Sequence, residues 1–358
     1  MKVALFIPTL DGGGAQRVAL NLCEGLINHG FIVELILVRK EGALSKSVPK
    51  GVNIKVLNSS RTLFAIPALA KMIKENKYDR LISFMGYVNI CAIAASLLSL
   101  SSTKIIVTEH STISREKDRY KFRKIFQRFL MKFLYPKAYK IVAVSGGAAT
   151  ELKSTLRLKR NIDVIHNPIM NKALNIENRE IPNHAWFKDE VPVVLAVGRL
   201  VSLKDYPTLI KAISQVNNKQ TCRLIILGEG EERNKLQELI NKVGISDNVS
   251  MPGFVEDVYN YMYASDIFVL SSISEGFGNV IVEALACGTP IISTDCPHGP
   301  SEILKGGKFG KLTPVNNVNA LANAIDEAIK SPTSNKQDRI KRANDFCVNK
   351  ISSQYASL

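Results

Sequence analysis

Residues 2 to 26 read KVALFIPTLDGGGAQRVALNLCEGL. Val3 to Ile7 is a short unbroken apolar run closed by Pro8, the pattern of a strand covered on both faces. After the glycine turn, Ala15, Val18, Ala19, Leu22, Cys23 and Leu26 recur at helical spacing. Strand, glycine turn and helix form one unit, and the alternation continues. Further strands are expected at Ile32 to Val38, Ile54 to Leu57, Leu81 to Phe84, Ile105 to Thr108, Ile141 to Val144 and Val164 to His166. Such alternation builds a parallel sheet with helices on both faces.

The polar stretch from Asn171 to Glu190 interrupts the pattern, which restarts at Val193 to Val197 and runs on through Leu224 to Leu227, Ile267 to Leu270, Pro290 to Thr294 and Gly310 to Leu312. The fold class is therefore α/β, with two doubly wound, Rossmann-like domains at 1–170 and 191–334. A linker at 171–190 joins them, and a helical tail at 335–358 is placed to pack back on the first. A chain of 358 residues suits two cores better than one. In such sheets ligands bind beyond the carboxyl ends of the strands. The two sets of strand ends are expected to face each other across a cleft.

Composition narrows the class. With 46% hydrophobic and 22% charged residues the chain is globular, neither disordered nor fibrous. Its six cysteines form no CxxC pair and no Cys/His cluster, so reduced thiols and no metal site are expected. The N-terminal apolar run lacks a cleavage-type site, and the stretch Val88 to Leu100 contains Asn89, Ser96 and Ser99 and is too short for a bilayer. A cytoplasmic protein is expected. Through His166 there are 27 Lys/Arg against 11 Asp/Glu, leaving 20 against 21 for the rest of the chain. The basic half calls for an anionic partner: phospholipid, a diphosphate-bearing substrate or nucleic acid.

Two loops carry candidate chemistry. Gly12-Gly13-Gly14 stands where missing Cβ atoms let a ligand approach and helix amides face an anion, with Arg17 one turn in; a plain tight turn is the other reading. Its spacing matches neither GxGxxG nor GxxxxGK[ST], against nicotinamide-cofactor and P-loop functions. In SEGFGNVIVEALACGTPII, residues 274 to 292, Glu275 and Glu283 stand eight apart. Glu275 in the loop can accept from sugar hydroxyls. Glu283, expected about two turns into the next helix, can hold both hydroxyls of a ribose. The amides of Gly278, Asn279 and Val280 would meet a diphosphate between them. Glutamates at this spacing also arise on solvated helix faces; the Gly-Phe-Gly context favours a site.

These residues resemble the C-terminal signature of the retaining glycosyltransferases of family 4, which share the GT-B fold. GGGAQR at 12–17, TEH at 108–110, VIHNP at 164–168, VGRLVSLKDYPTLI at 197–210, GEGEE at 228–232, PGF at 252–254 and HGPSEIL at 298–304 follow in family order. The resemblance implies that Arg199 and Lys204 neutralise the diphosphate of a nucleotide-sugar donor, and that Glu275 contacts the transferred sugar and Glu283 the ribose. Gly14, Gly276, Phe277, Gly278, Asn279 and Val280 line the donor, while Gly228, Phe254 and Val255 lie near the base, uracil in most of the family. His110 would face the reacting sugar and orient the reactants, although a lone histidine is more often a structural hydrogen-bonder. The departing phosphate, not a protein nucleophile, helps deprotonate the acceptor. No Asp-any-Asp motif occurs, so neither a metal nor another cofactor is expected. His298 is a weaker donor contact.

From Arg115 to Lys140 ten Lys/Arg face only Glu116 and Asp118, with Phe122, Ile125, Phe126, Phe129, Leu130, Phe133 and Leu134 at helical spacing. This basic amphipathic helix either lies on an anionic membrane surface, with Lys121, Lys124, Arg128 and Lys132 near phosphates, or packs its Phe face on the sheet. The segment also looks like transferases that extend oligosaccharides on polyprenyl diphosphate at the cytoplasmic membrane face, implying a lipid-linked saccharide acceptor in cell-surface glycan assembly. The expected activity is transfer of a hexose or N-acetylhexosamine. The alternatives are a UDP-sugar 2-epimerase of the same fold and a catalytically silent protein that recruits partners to the membrane. No RNA-recognition motif or zinc finger accompanies the charge, so nucleic acid is not an expected partner.

Overall fold

The computed structural model describes residues 1–110, 121–171, 179–331 and 335–358, with side chains from Ile125 onward in the helix that begins at Lys121. The chain forms two compact units: Met1–Ile169 together with Phe346–Leu358, and Met170–Asp345.

The first unit is a seven-stranded parallel sheet of β1 (Lys2–Ile7), β2 (Ile32–Leu37), β3 (Asn53–Val56), β4 (Arg80–Phe84), β5 (Lys104–Glu109), β6 (Lys140–Ala143) and β7 (Asp163–Val164) in the order β3-β2-β1-β4-β5-β6-β7. β1 is an interior strand, and Val3 to Ile7 are all buried because helices cover both faces. It pairs with β2 from Lys2↔Ile32 to Ile7↔Leu37 and with β4 from Val3↔Arg80 to Phe6↔Ser83. The strand order reverses between β1 and β4, so the loops leaving those two strands diverge and open a crevice.

The tail is divided between the units. Helix Val348–Ser357 packs on helix Gly14–Asn28 so closely that a Cβ on Gly25 would stand 2.4 Å from Ser352 Oγ. Arg80 Nη1 donates to the last carbonyls of that final helix, Tyr355 O at 3.0 Å and Ala356 O at 2.8 Å. Helix Lys336–Ala343 belongs instead to the second unit. There Arg339 Nε donates to Gly288 O at 2.9 Å, and Arg342 reaches Ile303 O and Glu302 O at 2.8 Å each.

The second unit is a six-stranded parallel sheet of β8 (Val193–Val197), β9 (Arg223–Leu227), β10 (Val249–Gly253), β11 (Ile267–Leu270), β12 (Ile291–Thr294) and β13 (Lys311–Thr313) in the order β10-β9-β8-β11-β12-β13. Its order reverses between β8 and β11. β10 is not among the strands expected from sequence: it is an edge strand carrying Pro252, with a register shift between Ser250 and Gly253. The six cysteines are free thiols. Among the described residues no helix is long and apolar enough to cross a membrane.

Candidate active site

In the second unit the loops leaving β8 and β11 flank the point where strand order reverses. They are stitched together through their backbones, with Ile273 N donating to Leu203 O at 2.9 Å and Ser271 Oγ to Lys204 O at 2.7 Å. That stitching sets Lys204 Nζ 2.5 Å from Glu275 Oε1, which also accepts from Ser272 Oγ at 2.6 Å. Both side chains are largely enclosed, 19% and 14% exposed, so the charges interact in a medium less screening than water. Glu275 Oε2 has no partner among the described residues. Arg199, two residues past β8, is exposed.

The glycines hold the loops at close range. A Cβ on Gly228, whose φ is +138°, would lie 2.1 Å from Gly198 O, and one on Gly230 would lie 2.4 Å from Leu200 O. Gly228 therefore packs the loop after β9 against the loop after β8. Phe254, at the exit of the edge strand, is 69% exposed, and Val255 beside it is half-buried. In the loop after β11, Phe277 is buried and Gly278 (φ +99°) caps helix Asn279–Ala286. The amides of Asn279 and Val280 lie in its first turn, where helix N–H groups lack intrahelical partners. Gly276 is half-buried beside Glu275. Glu283 is buried and stands one turn into this short helix, not two, because the helix begins at Asn279. His298 is half-buried at a φ of +70° in the loop after β12.

Two residues beside Lys204 escaped the sequence reading. Tyr206 is buried with its hydroxyl unpartnered among the described residues, and it stands 3.0 Å from where a Gly198 Cβ would be. Burial, then the charge of Glu275, raises its pKa. Asp205 adopts a left-handed φ of +48°, and burial raises its carboxyl. The only sequence signal was their place next to Lys204.

In the first unit His110 follows the last residue of β5. Its ring stacks on Phe84 with centroids 5.3 Å apart, and Nε2 lies 3.0 Å from Thr108 Oγ1. Thr108 Oγ1 donates its hydrogen to Ser83 O at 2.8 Å, so toward His110 it can only accept. His110 is thereby the Nε2–H tautomer, and its Nδ1 is a bare acceptor, sealed from solvent and unpartnered among the described residues. Burial pushes its pKa down to about 4, so the ring is neutral. It is not a cation at neutral pH.

At the β1–β4 reversal, Gly12 (φ +98°) leads to the helix beginning at Gly14, with Arg17 half-buried in its first turn. The helix Lys121–Leu134 does not pack Phe126, Phe129 or Phe133 on the sheet. Met131 and Tyr135 are buried, with Leu130 and Leu134 against the core, while Ile125, Phe126, Phe129 and Phe133 are 55% to 64% exposed. Lys132 is exposed and Arg128 half-buried. The side chains of Lys121 and Lys124, like Phe122, lie outside the described residues.

Residues 12–170 match the family Glycosyltransferase Family 4 and residues 177–345 the family Glycosyl transferases group 1. The chain belongs to the glycosyltransferases of GT-B fold. It is 28% identical, over 96% of its own length and 98% of the relative's, to a Campylobacter jejuni enzyme named N-acetylgalactosamine-N,N'-diacetylbacillosaminyl-diphospho-undecaprenol 4-alpha-N-acetylgalactosaminyltransferase. A second Campylobacter jejuni enzyme, an alpha-1,4-N-acetyl-D-galactosaminyltransferase acting on a diNAcBac-PP-undecaprenol glycan, is 27% identical over all of this chain and 98% of that one. The fold matches Anabaena HepE, solved with UDP and glucose, at a TM-score of 0.81 and 20% identity, covering 100% of this chain and 98% of that one.

Proposed function

We propose that this glycosyltransferase is a retaining, metal-independent enzyme that moves an N-acetylhexosamine or hexose from a UDP-sugar onto a saccharide carried on polyprenyl diphosphate. It would work while resting on the anionic cytoplasmic face of a membrane, in cell-surface glycan assembly. The observation that carries this reading is the Lys204–Glu275–Ser272 constellation where the strand order reverses. It offers a cation for a leaving diphosphate and a carboxylate, anchored by Oε1, whose Oε2 remains to accept sugar hydroxyls. Arg199 supplies a second cation in forked geometry, which suits phosphate and stands in for a divalent ion. The amides at Gly278 to Val280 extend the same positive field, and Glu283 serves the ribose. Phe254 and Val255 are assigned to the base.

On the first unit, the neutral His110 ring orients the reactants as the carbon–oxygen bond to phosphate breaks and the bond to the acceptor oxygen forms on the same face. The acceptor proton passes to the departing phosphate. The printed activities of the two Campylobacter relatives support a lipid-diphosphate saccharide acceptor and an N-acetylated sugar. The exposed Phe stripe on a basic helix supports the membrane contact.

The test is a screen of UDP-, GDP- and ADP-sugars with lipid-diphosphate saccharide extract in the presence of EDTA, followed by assignment of the product anomer. An α-linked product from an α-linked UDP donor is expected. A β product refutes retention, and loss of transfer in EDTA refutes metal independence. Epimerised nucleotide sugar formed without acceptor points to a 2-epimerase. Vesicle binding without turnover points to a recruiting protein.

A further inference from the structure

A buried polar lattice lies beneath His110. The Tyr135 hydroxyl donates to Glu109 Oε1 through a short hydrogen bond. Asn89 Nδ2 lies 2.9 Å from Glu109 Oε1, 2.9 Å from Thr108 O and 3.0 Å from the Tyr135 hydroxyl, while its Oδ1 accepts from Ser83 Oγ at 2.7 Å. Tyr135, Asn89 and Glu109 are all buried, and among the described residues Glu109 is held by the neutral donors Tyr135 and Asn89. Burial pushes its carboxyl up to about 7, with Tyr135 and Asn89 working in the other direction. An apolar residue would fill such a place at less desolvation cost; a hydrogen-bonded polar network, in contrast, fixes one geometry.

The lattice joins four pieces of chain. Ser83 is the penultimate residue of β4, Asn89 lies on helix Gly86–Ser99, Thr108 and Glu109 end β5, and Tyr135 directly follows helix Lys121–Leu134. At the turn into helix Gly86–Ser99, Met85 takes a left-handed φ of +76° and donates its amide to Thr108 O at 3.1 Å. At Gly86 an added Cβ would stand 2.8 Å from Gln127 Nε2 and 3.2 Å from Glu109 Oε1, so the Phe-striped helix rests directly on this turn. A displacement of that helix moves Tyr135 and, through the carboxylate, the residue next to His110.

We infer that Tyr135, Asn89 and Glu109 are positioning residues for His110, coupling the end of the basic, Phe-striped helix to the strand end that carries the histidine. The catalytic consequence rests on the glycosyl-transfer reading; the mechanical coupling does not.

The test has two arms. In the first, ring nitrogen-15 signals of the five histidines are recorded for the full chain and for Tyr135→Phe, with His110 assigned through His110→Ala. The His110 signals are expected to move while those of His29, His166, His184 and His298 stay in place. In the second, Tyr135→Phe is expected to lower kcat about tenfold with the nucleotide-sugar KM within about twofold, and to cause no further loss in a His110→Ala background, since the two act through one group. Glu109→Gln keeps an oxygen for Tyr135 and is expected to preserve both readings, whereas Glu109→Ala disturbs both. This pair decides the matter if Tyr135→Phe fails to fold. Unmoved His110 signals in folded Tyr135→Phe, or losses that multiply with His110→Ala, overturn the coupling. Absence of transfer by the wild-type chain instead overturns the transferase reading, and the first arm still decides the coupling.

Discussion

Thr108 decides which nitrogen of His110 carries the proton. Its hydroxyl hydrogen is committed to Ser83 O at 2.8 Å, so the 3.0 Å contact to His110 Nε2 is one the threonine accepts, and Nδ1 is left with its lone pair. Thr108→Val keeps the shape and strands the Nε2–H. With a lost buried bond worth about 1–3 kcal/mol, kcat should fall about one to two orders of magnitude, while Thr108→Ser stays near wild type. Steady-state kinetics on the three proteins check this; equal rates for valine and serine would sink the tautomer argument.

Adjacent residues Glu109 and His110 have opposite pH linkage. The Glu109 carboxyl rises from 4.5 to about 7, so the folded state binds its proton more tightly; that contribution is full below 4.5 and is lost as pH rises through 7. The His110 imidazole falls from 6.5 to about 4, so its contribution is full above 6.5 and is lost as pH falls through 4. Between about pH 4.5 and 6.5 the two slopes oppose each other. Compared with wild type, Glu109→Gln should gain stability steadily across that window and His110→Gln should lose it, each by about 2–3 kcal/mol from end to end at roughly 1.4 kcal/mol per unit. Melting curves at half-unit steps read both slopes.

Glu275→Gln and Lys204→Ala should each reduce kcat by about a hundredfold or more, the scale of removing one preorganised charge-stabilising group. Lys204→Ala also leaves a largely enclosed carboxylate without its cation, so a loss of stability should accompany the kinetic loss. A Glu275→Gln variant with unchanged kcat would remove the carboxylate from the proposed mechanism.

Replacing Phe126 and Phe129 together by aspartate should abolish cosedimentation with vesicles containing anionic phospholipid while leaving the melting temperature within a few degrees, because both rings are exposed. Binding by the wild type should weaken as salt is raised from 0.05 to 0.5 M on the order of the Debye screening of its cations. Binding that survives the double substitution would move the membrane contact elsewhere on the basic unit.

Gly228→Ala should destabilise the second unit by at least about 1–3 kcal/mol, since it combines a φ of +138° with a Cβ 2.1 Å from Gly198 O. Calorimetry and UDP binding on the same sample would show whether fold and nucleotide affinity fall together.

Much of this architecture was legible because a parallel sheet buries both faces of its strands. Val3 to Ile7 and Ile267 to Leu270 are continuous apolar runs, and each is followed by a glycine-bearing loop with a positive φ, at Gly12 and at Gly278. β10 was hidden because Val249–Gly253 contains the two residues that argue most strongly against a strand, and an edge position tolerates both. Glu275 and Lys204 could be read from their loops, yet their mutual contact depends on backbone ties from Leu203 to Ile273 that no local pattern records. The direction of the Phe stripe was open for the same reason: periodicity says that a helix has an apolar face, and Met131 and Tyr135, slightly around the helix, are the residues that took the core. Glu109 read as the middle of a motif. Only packing made it the hub of a lattice.

The final helix, Val348–Ser357, lies against Gly25 and caps its last carbonyls with Arg80. These residues are synthesised after the entire second unit. The amino-terminal half therefore emerges from the ribosome missing one of its own walls, with the face of its first helix bare until translation has passed residue 346. The unit encoded in the middle can close first, reversing the usual vectorial order in which the leading domain finishes before the next begins.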